Sequence, residues 1–281
     1  MPETIGHYLI LDRIGSGGIG DVFRARDTKV GRTVALKVVA KEIAADPVRR
    51  AQLLSDASRL TTLTHPNIAT VYEAAEADGV LYLALEFVPG EPLRRLIAGG
   101  GLNARRAIEY GIQIADALAE AHAAGLAHDD LTTANVVITP KGSVKILELG
   151  LASWTRSGRS RGKQDDVFSL GAVMFEMITG KPFSDQVSAV ARPPSVGREV
   201  PPELDPIVAR LLEKDGSVYE SPATVAAELR AVAEAIDKRN ENIQRSHPTP
   251  TQSQPNARLR WMILLVAVLV AIAIAWLALQ R

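Results

Sequence analysis

The segment Ile14-Gly15-Ser16-Gly17-Gly18-Ile19-Gly20-Asp21-Val22 places Gly15, Gly17 and Gly20 between two β-like stretches, Tyr8 to Ile14 and Val22 to Ala25. A hairpin lacking Cβ atoms at those places can close over phosphate oxygens. By itself the pattern is equally that of a plain glycine-rich hairpin. The next strand-like stretch, Val34-Ala35-Leu36-Lys37, ends in a lysine suited to pairing with the α and β phosphates of a nucleotide. Loop and lysine together point to phosphate chemistry.

Three compositional zones surround these residues. Up to residue 237 the sequence mixes apolar runs with charge and punctuating glycine and proline, long enough for two packed lobes. Residues 238–257 read as a juxtamembrane linker. Their stretch His247 to Asn256 is too polar to bury the surface that would offset its ordering entropy. Within 258–281, Trp261 to Leu279 is an uninterrupted apolar run, close to the roughly 20 residues that a membrane-spanning helix needs. Trp261 and Trp276 suit the two interfaces, and Arg258 and Arg260 on the N-terminal flank keep the body in the cytoplasm by the positive-inside tendency. The expected location is the inner (cytoplasmic) membrane, crossed once.

The chain has no cysteine, which fits a reducing compartment and excludes disulfides and thiolate metal sites. Its 32 basic and 32 acidic residues give no global attraction to nucleic acid. The five histidines lack metal-ligand spacing.

Further motifs follow in order. A helix-compatible stretch from Pro47 to Thr62 precedes His65-Pro66-Asn67-Ile68, and a strand and turn follow in Leu81-Tyr82-Leu83-Ala84-Leu85-Glu86-Phe87-Val88-Pro89-Gly90. Then come His122 to Ile138, containing His128-Asp129-Asp130-Leu131-Thr132-Thr133-Ala134-Asn135, and Val144-Lys145-Ile146-Leu147-Glu148-Leu149-Gly150. A helix-like segment from Asp165 to Phe183 closes the series.

This series, over about Ile5 to Ile236, resembles the bacterial eukaryotic-like Ser/Thr protein kinase family. The resemblance implies an α+β, bilobal protein-kinase-like fold. The N-lobe, residues 1–88, would be a five-stranded antiparallel sheet with one main helix, and the C-lobe, 89–237, helical with a shortened activation segment. It implies that Asp130 orients a substrate hydroxyl and that Asn135 and Glu148 hold Mg²⁺ weakly. Lys37, Asp130 and Asn135 would be the catalytic set. Nucleotide contacts would come from Gly15, Gly17, Gly20, Val22, Ala35, Lys37 and Val137 and from the backbones of Glu86 and Val88, with Leu85 as gatekeeper. Asp166 would hydrogen-bond the catalytic-loop backbone.

The sequence departs from the family pattern at several of these places. Asp56 stands where a glutamate pairs the strand lysine, Asp129 where an arginine clamps a phosphorylated loop, and Thr132 where a lysine sits near the transferring phosphate. Glu148 replaces the metal-binding aspartate and reaches one methylene further, while Mg²⁺ demands near-ideal octahedral ligands at about 2.1 Å. Leu149 replaces the aromatic residue after it. Between Glu148 and Asp166 there is no Ala-Pro-Glu, and Tyr219 falls near the late arginine that would pair its glutamate. Arg156, Arg159, Arg161 and Lys163 in the shortened segment are a solvated loop or a lure for an acidic partner or lipid headgroups.

The expectation is a membrane-anchored, kinase-like signalling or scaffold module, catalytically impaired (a pseudokinase), with weak ATP binding and an unidentified protein partner at the cytoplasmic membrane face. The alternative is a low-activity Ser/Thr protein kinase that transfers the γ-phosphate of ATP.

Overall fold

The computed structural model describes residues 3–151, 154, 162–184, 200–213 and 219–246, and positions 261, 262, 264–266, 268–270, 272 and 276. The expected linker stretch His247 to Asn256, the arginines 156, 159 and 161, and the flanking Arg258 and Arg260 lie outside them. The chain divides into two units, residues 1–234 and 235–281.

In the first unit, six strands form one antiparallel sheet: β1 (Thr4–Ile5), β2 (Tyr8–Gly17), β3 (Gly20–Asp27), β4 (Thr33–Val39), β5 (Val71–Ala77) and β6 (Val80–Glu86), in the order β1-β2-β3-β4-β6-β5. Five strands are those expected. The added β1 forms because Ile5 is buried and the chain turns back at Gly6, whose φ of 55° suits glycine. One sheet face closes over Ile5, Tyr8, Ala25, Val34, Leu36, Tyr82 and Ala84. Each fully buried Leu or Ile there contributes about 1.5–3 kcal/mol. Strict alternation along β4 then turns Ala35 and Lys37 to the opposite face, where register sets Val22 beside Lys37 and Leu85 beside Ala35.

A short helix α1 (Lys41–Ala44) leads into α2 (Pro47–Leu60), which starts where the Asp46 carboxylate accepts from the N–H groups of Val48 and Arg49 and Pro47 sets the first turn. It buries Leu53, Ala57 and Leu60.

Beyond the turn at Phe87 to Gly90, β7 (Glu91–Pro92), β8 (Val136–Ile138) and β9 (Val144–Ile146) make a small second sheet. The helical core comprises α3 (Leu93–Ile97), α4 (Ala104–Ala123), α5 (Lys163–Thr179), α6 (Leu204–Leu211) and the first part of α7 (Pro222–Ser246). Helix α5 meets α6 closely enough that a Cβ on Gly171 would lie 2.6 Å from Leu211 Cβ. Helix α7 continues past the 237/238 boundary to Ser246, since Lys238, Arg239 and Glu241 are polar but good helix formers and no glycine or proline intervenes before Pro248.

The described positions between 261 and 276 are helical and exposed, and among the described residues no helix is long and apolar enough to cross a membrane. Much of the expected span, Trp261 to Leu279, lies outside the described residues.

Candidate functional site

The β2–β3 hairpin closes with Gly17 opposite Gly20, forming the expected glycine loop. At Gly20 a Cβ would lie 1.8 Å from the Val38 carbonyl oxygen, so only glycine fits. Ile19 at the tip is 1% exposed, and its carbonyl accepts from the Ala40 N–H at 2.7 Å. A Cβ on Gly17 would stand 3.7 Å from Lys37 Nζ, which puts the loop directly over the lysine.

Lys37 is wholly buried, and its ammonium lies 2.7 Å from Glu148 Oε1. The contact is ionic without hydrogen-bond alignment, and among the described residues Nζ has no aligned acceptor. Asp56 does not make the pairing with Lys37 that the family pattern calls for. Its carboxylate accepts from Gln52 Nε2 at 3.0 and 3.1 Å and from Trp154 Nε1 at 3.1 Å. The Trp154 indole, 7% exposed, and Gln52 hold that carboxylate instead.

The catalytic-loop residues converge through backbone and side-chain bonds. Asn135 Nδ2 donates to the Asp130 carbonyl at 2.9 Å, and the Leu147 N–H donates to the Asn135 carbonyl at 2.7 Å, bringing Glu148 alongside. His128 is fully buried; its Nδ1 accepts from the Asp130 N–H at 3.3 Å and its Nε2 donates to the Leu147 carbonyl at 3.0 Å. Burial pushes its pKa below the ordinary value against the pull of Asp166, which agrees with a neutral ring in that tautomer. Asp166, 1% exposed, accepts from the N–H groups of His128 and Asp129 at 2.8 and 2.9 Å, as expected, and contacts His122 Nε2 at 2.8 Å. Thr133 Oγ1 donates to Glu176 Oε2 at 2.7 Å, while Thr132 is exposed.

Asp129 and Glu148 both adopt positive φ, 68° and 60°. Such strain in residues other than glycine concentrates at functional turns. The Asp129 carboxylate accepts from the Gly162 N–H at 2.9 Å, just before α5. Leu149 is buried, as an apolar plug should be. The Glu86 side chain binds Lys145 Nζ at 2.8 Å and accepts from the Thr70 N–H at 3.1 Å, and its backbone N–H donates to the Thr70 carbonyl at 2.8 Å.

Farther down, Tyr219 donates to Glu228 Oε2 at 2.8 Å, and Arg210 pairs with the same carboxylate. Burial, then the bond to Glu228, raises the Tyr219 pKa. Tyr219 of this cluster is the residue that the family resemblance sets near the late arginine. Sequence reasoning missed Trp154, Lys145, Glu176 and the Arg210–Glu228 pair and gave His122 no role. A lone tryptophan in the polar stretch Ser153 to Gln164 was the available signal for Trp154.

A buried ammonium without an aligned acceptor, lying beneath Gly17 of the glycine loop, fits phosphate oxygens. The family pattern would have Asn135 and Glu148 hold Mg²⁺, supplying positive charge to neutralise phosphate; here the Glu148 carboxylate is turned onto Lys37 Nζ instead. Among the described residues no three His, Cys, Asp or Glu side chains gather as a metal site.

The fold and this site define a protein kinase domain, and residues 8–163 match the protein kinase domain family; the chain belongs to it. It is 32% identical to the Ser/Thr protein kinase PknA of Mycobacterium tuberculosis, over 90% of this chain and 65% of that one. It is 30% identical to PrkC of Bacillus subtilis, over 84% of this chain and 42% of that one. The chain thus spans less than two thirds of the length of these curated relatives. The crystal structure of the M. tuberculosis PknI kinase domain shares the fold, with a TM-score of 0.68 at 23% identity over 82% of this chain and 97% of that one.

Proposed function

We propose that this chain is a kinase-family signalling module that binds ATP weakly beneath the glycine loop and transfers phosphate to protein serine or threonine slowly at most. Binding of a partner protein at the cytoplasmic face of the membrane is its main output. One observation carries this reading. Lys37 and Glu148 neutralise each other at 2.7 Å while Asp56 is engaged by Gln52 and Trp154, so phosphate and metal both lose their residue. The acidic Asp129 and the uncharged Thr132 add to the deficit of positive charge where an anion must be stabilised. The membrane anchor rests on the apolar run Trp261 to Leu279.

The relatives named as Ser/Thr protein kinases favour a second reading, a low-activity enzyme using Lys37, Asp130, Asn135 and Glu148. The bonds joining Asn135 to Asp130, and Asp166 to the loop, support it too, since they hold the catalytic loop in order. Incubation with radiolabelled ATP separates the two. Labelling of the protein or of a basic substrate that vanishes in Asp130→Ala establishes the enzyme; equal background in both supports the binding module. Full-length protein that sediments with membranes, against a supernatant form ending at Ser246, checks the anchor.

A further inference from the structure

We infer that Glu148 is an internal stand-in for nucleotide phosphate: its carboxylate occupies Lys37 and is displaced by the incoming phosphate of a nucleoside di- or triphosphate, without joining it through a metal. This deepens the ATP-binding reading above and rests on it.

A wholly buried ammonium requires an anionic partner, and the structure supplies Glu148 Oε1 at 2.7 Å. The other acidic candidate, Asp56, is withheld by Gln52 and by the indole N–H of Trp154. The two ends of the ion pair differ in freedom. Lys37 sits on a central strand at 0% side-chain exposure, whereas the Glu148 side chain is 37% exposed. When a phosphate oxygen arrives, the carboxylate can turn into water and the lysine stays. The missing alignment between the partners gives phosphate a further advantage, because its oxygens can take positions along the ammonium N–H directions that Glu148 leaves unused.

The Glu148 backbone is fixed in the left-handed region at φ 60°, with its carbonyl accepting from the Leu151 N–H at 3.1 Å. From that turn the extra methylene of glutamate carries the carboxylate to the lysine. Once displaced, the charge remains beside the phosphates and repels them. Both effects oppose binding, so the carboxylate of Glu148 lowers nucleotide affinity. A metal ligand would raise it.

The sign decides the matter. ADP and ATP are titrated calorimetrically into the full chain and into Glu148→Gln, each in EDTA and in excess Mg²⁺. In EDTA, Glu148→Gln binds about tenfold tighter than wild type, a modest part of the attraction between opposite charges at such a distance. The gain disappears in Lys37→Met/Glu148→Gln. Should Glu148→Gln fail to fold, Glu148→Asp, which keeps the charge but draws it back from Lys37, also binds tighter than wild type in EDTA.

Unchanged or weaker binding by the variant in EDTA overturns the inference. So does a steep Mg²⁺-dependent gain in wild type that Glu148→Gln abolishes, since that is the behaviour of a ligand. Tight binding by Glu148→Gln alone, with none by wild type, would refute weak ATP binding by the native chain and uphold this role of Glu148. Binding by neither overturns both.

Discussion

Replacing Lys37 by methionine and Glu148 by glutamine should move stability in opposite directions, although the two side chains form one ion pair. Lys37 is fully buried, whereas Glu148 is 37% exposed. Breaking a dry ion pair from one side costs about 3–5 kcal/mol because the other charge is stranded. Water at Glu148 screens this pair, and the loss expected for Glu148→Gln falls to about 1–3 kcal/mol. Lys37→Met removes the buried charge, keeps an unbranched stem of similar volume and leaves a carboxylate free to turn to solvent. Its expected effect lies between neutral and about 2 kcal/mol of stabilisation. Urea midpoints of the three proteins, followed by circular dichroism without nucleotide, give the comparison, and the double variant gives the coupling. If Lys37→Met proves less stable than Glu148→Gln, the ammonium has hydration or partners that the geometry does not reveal and the reasoning fails.

Trp154→Phe keeps the buried ring and drops the N–H donated to Asp56; for about 1 kcal/mol lost, amide exchange across Pro47–Leu60 should quicken about fivefold, and unchanged exchange would exclude the contact as a brace. Because burial holds the His128 pKa below its unfolded value, the unfolded chain binds the extra proton first. Stability should therefore be full above about pH 6.5 and decline as pH falls below it. A urea-midpoint series from pH 7.5 to 5 in wild type and His128→Gln checks this, the variant being expected to show a shallower slope. Tyr219→Phe should lower stability by about 1 kcal/mol through the lost bond to Glu228, as read by the urea midpoint, while a value near zero would mean that Arg210 alone satisfies that carboxylate.

The glycine loop and the strand carrying Lys37 were legible because each is fixed by local pattern, whereas Asp130, Asn135 and Asp166 were legible through the family resemblance. A strand alternates with period two, and a hairpin tip needs glycine. The choice of partner for Lys37 was not legible. It depends on how far α2 stands from the sheet and on the left-handed turn at Glu148, and both are set by packing between distant segments. Trp154 was missed for the same reason, since its acceptor on α2 lies far away in sequence. The short β1 escaped because two residues carry too little periodicity to declare a strand. The Arg210–Glu228 pair joins two helices through side chains that read as ordinary solvated charges, and only their convergence on Tyr219 gives them meaning.

The bond from the Gly162 N–H to Asp129 also bears on time. The family pattern puts an arginine and an added phosphate at such a clamp, which would last only as long as the modification. Here the anion is part of the amino-acid sequence, so this clamp arrives with folding and ends with degradation. No phosphatase can erase it and no upstream enzyme need write it.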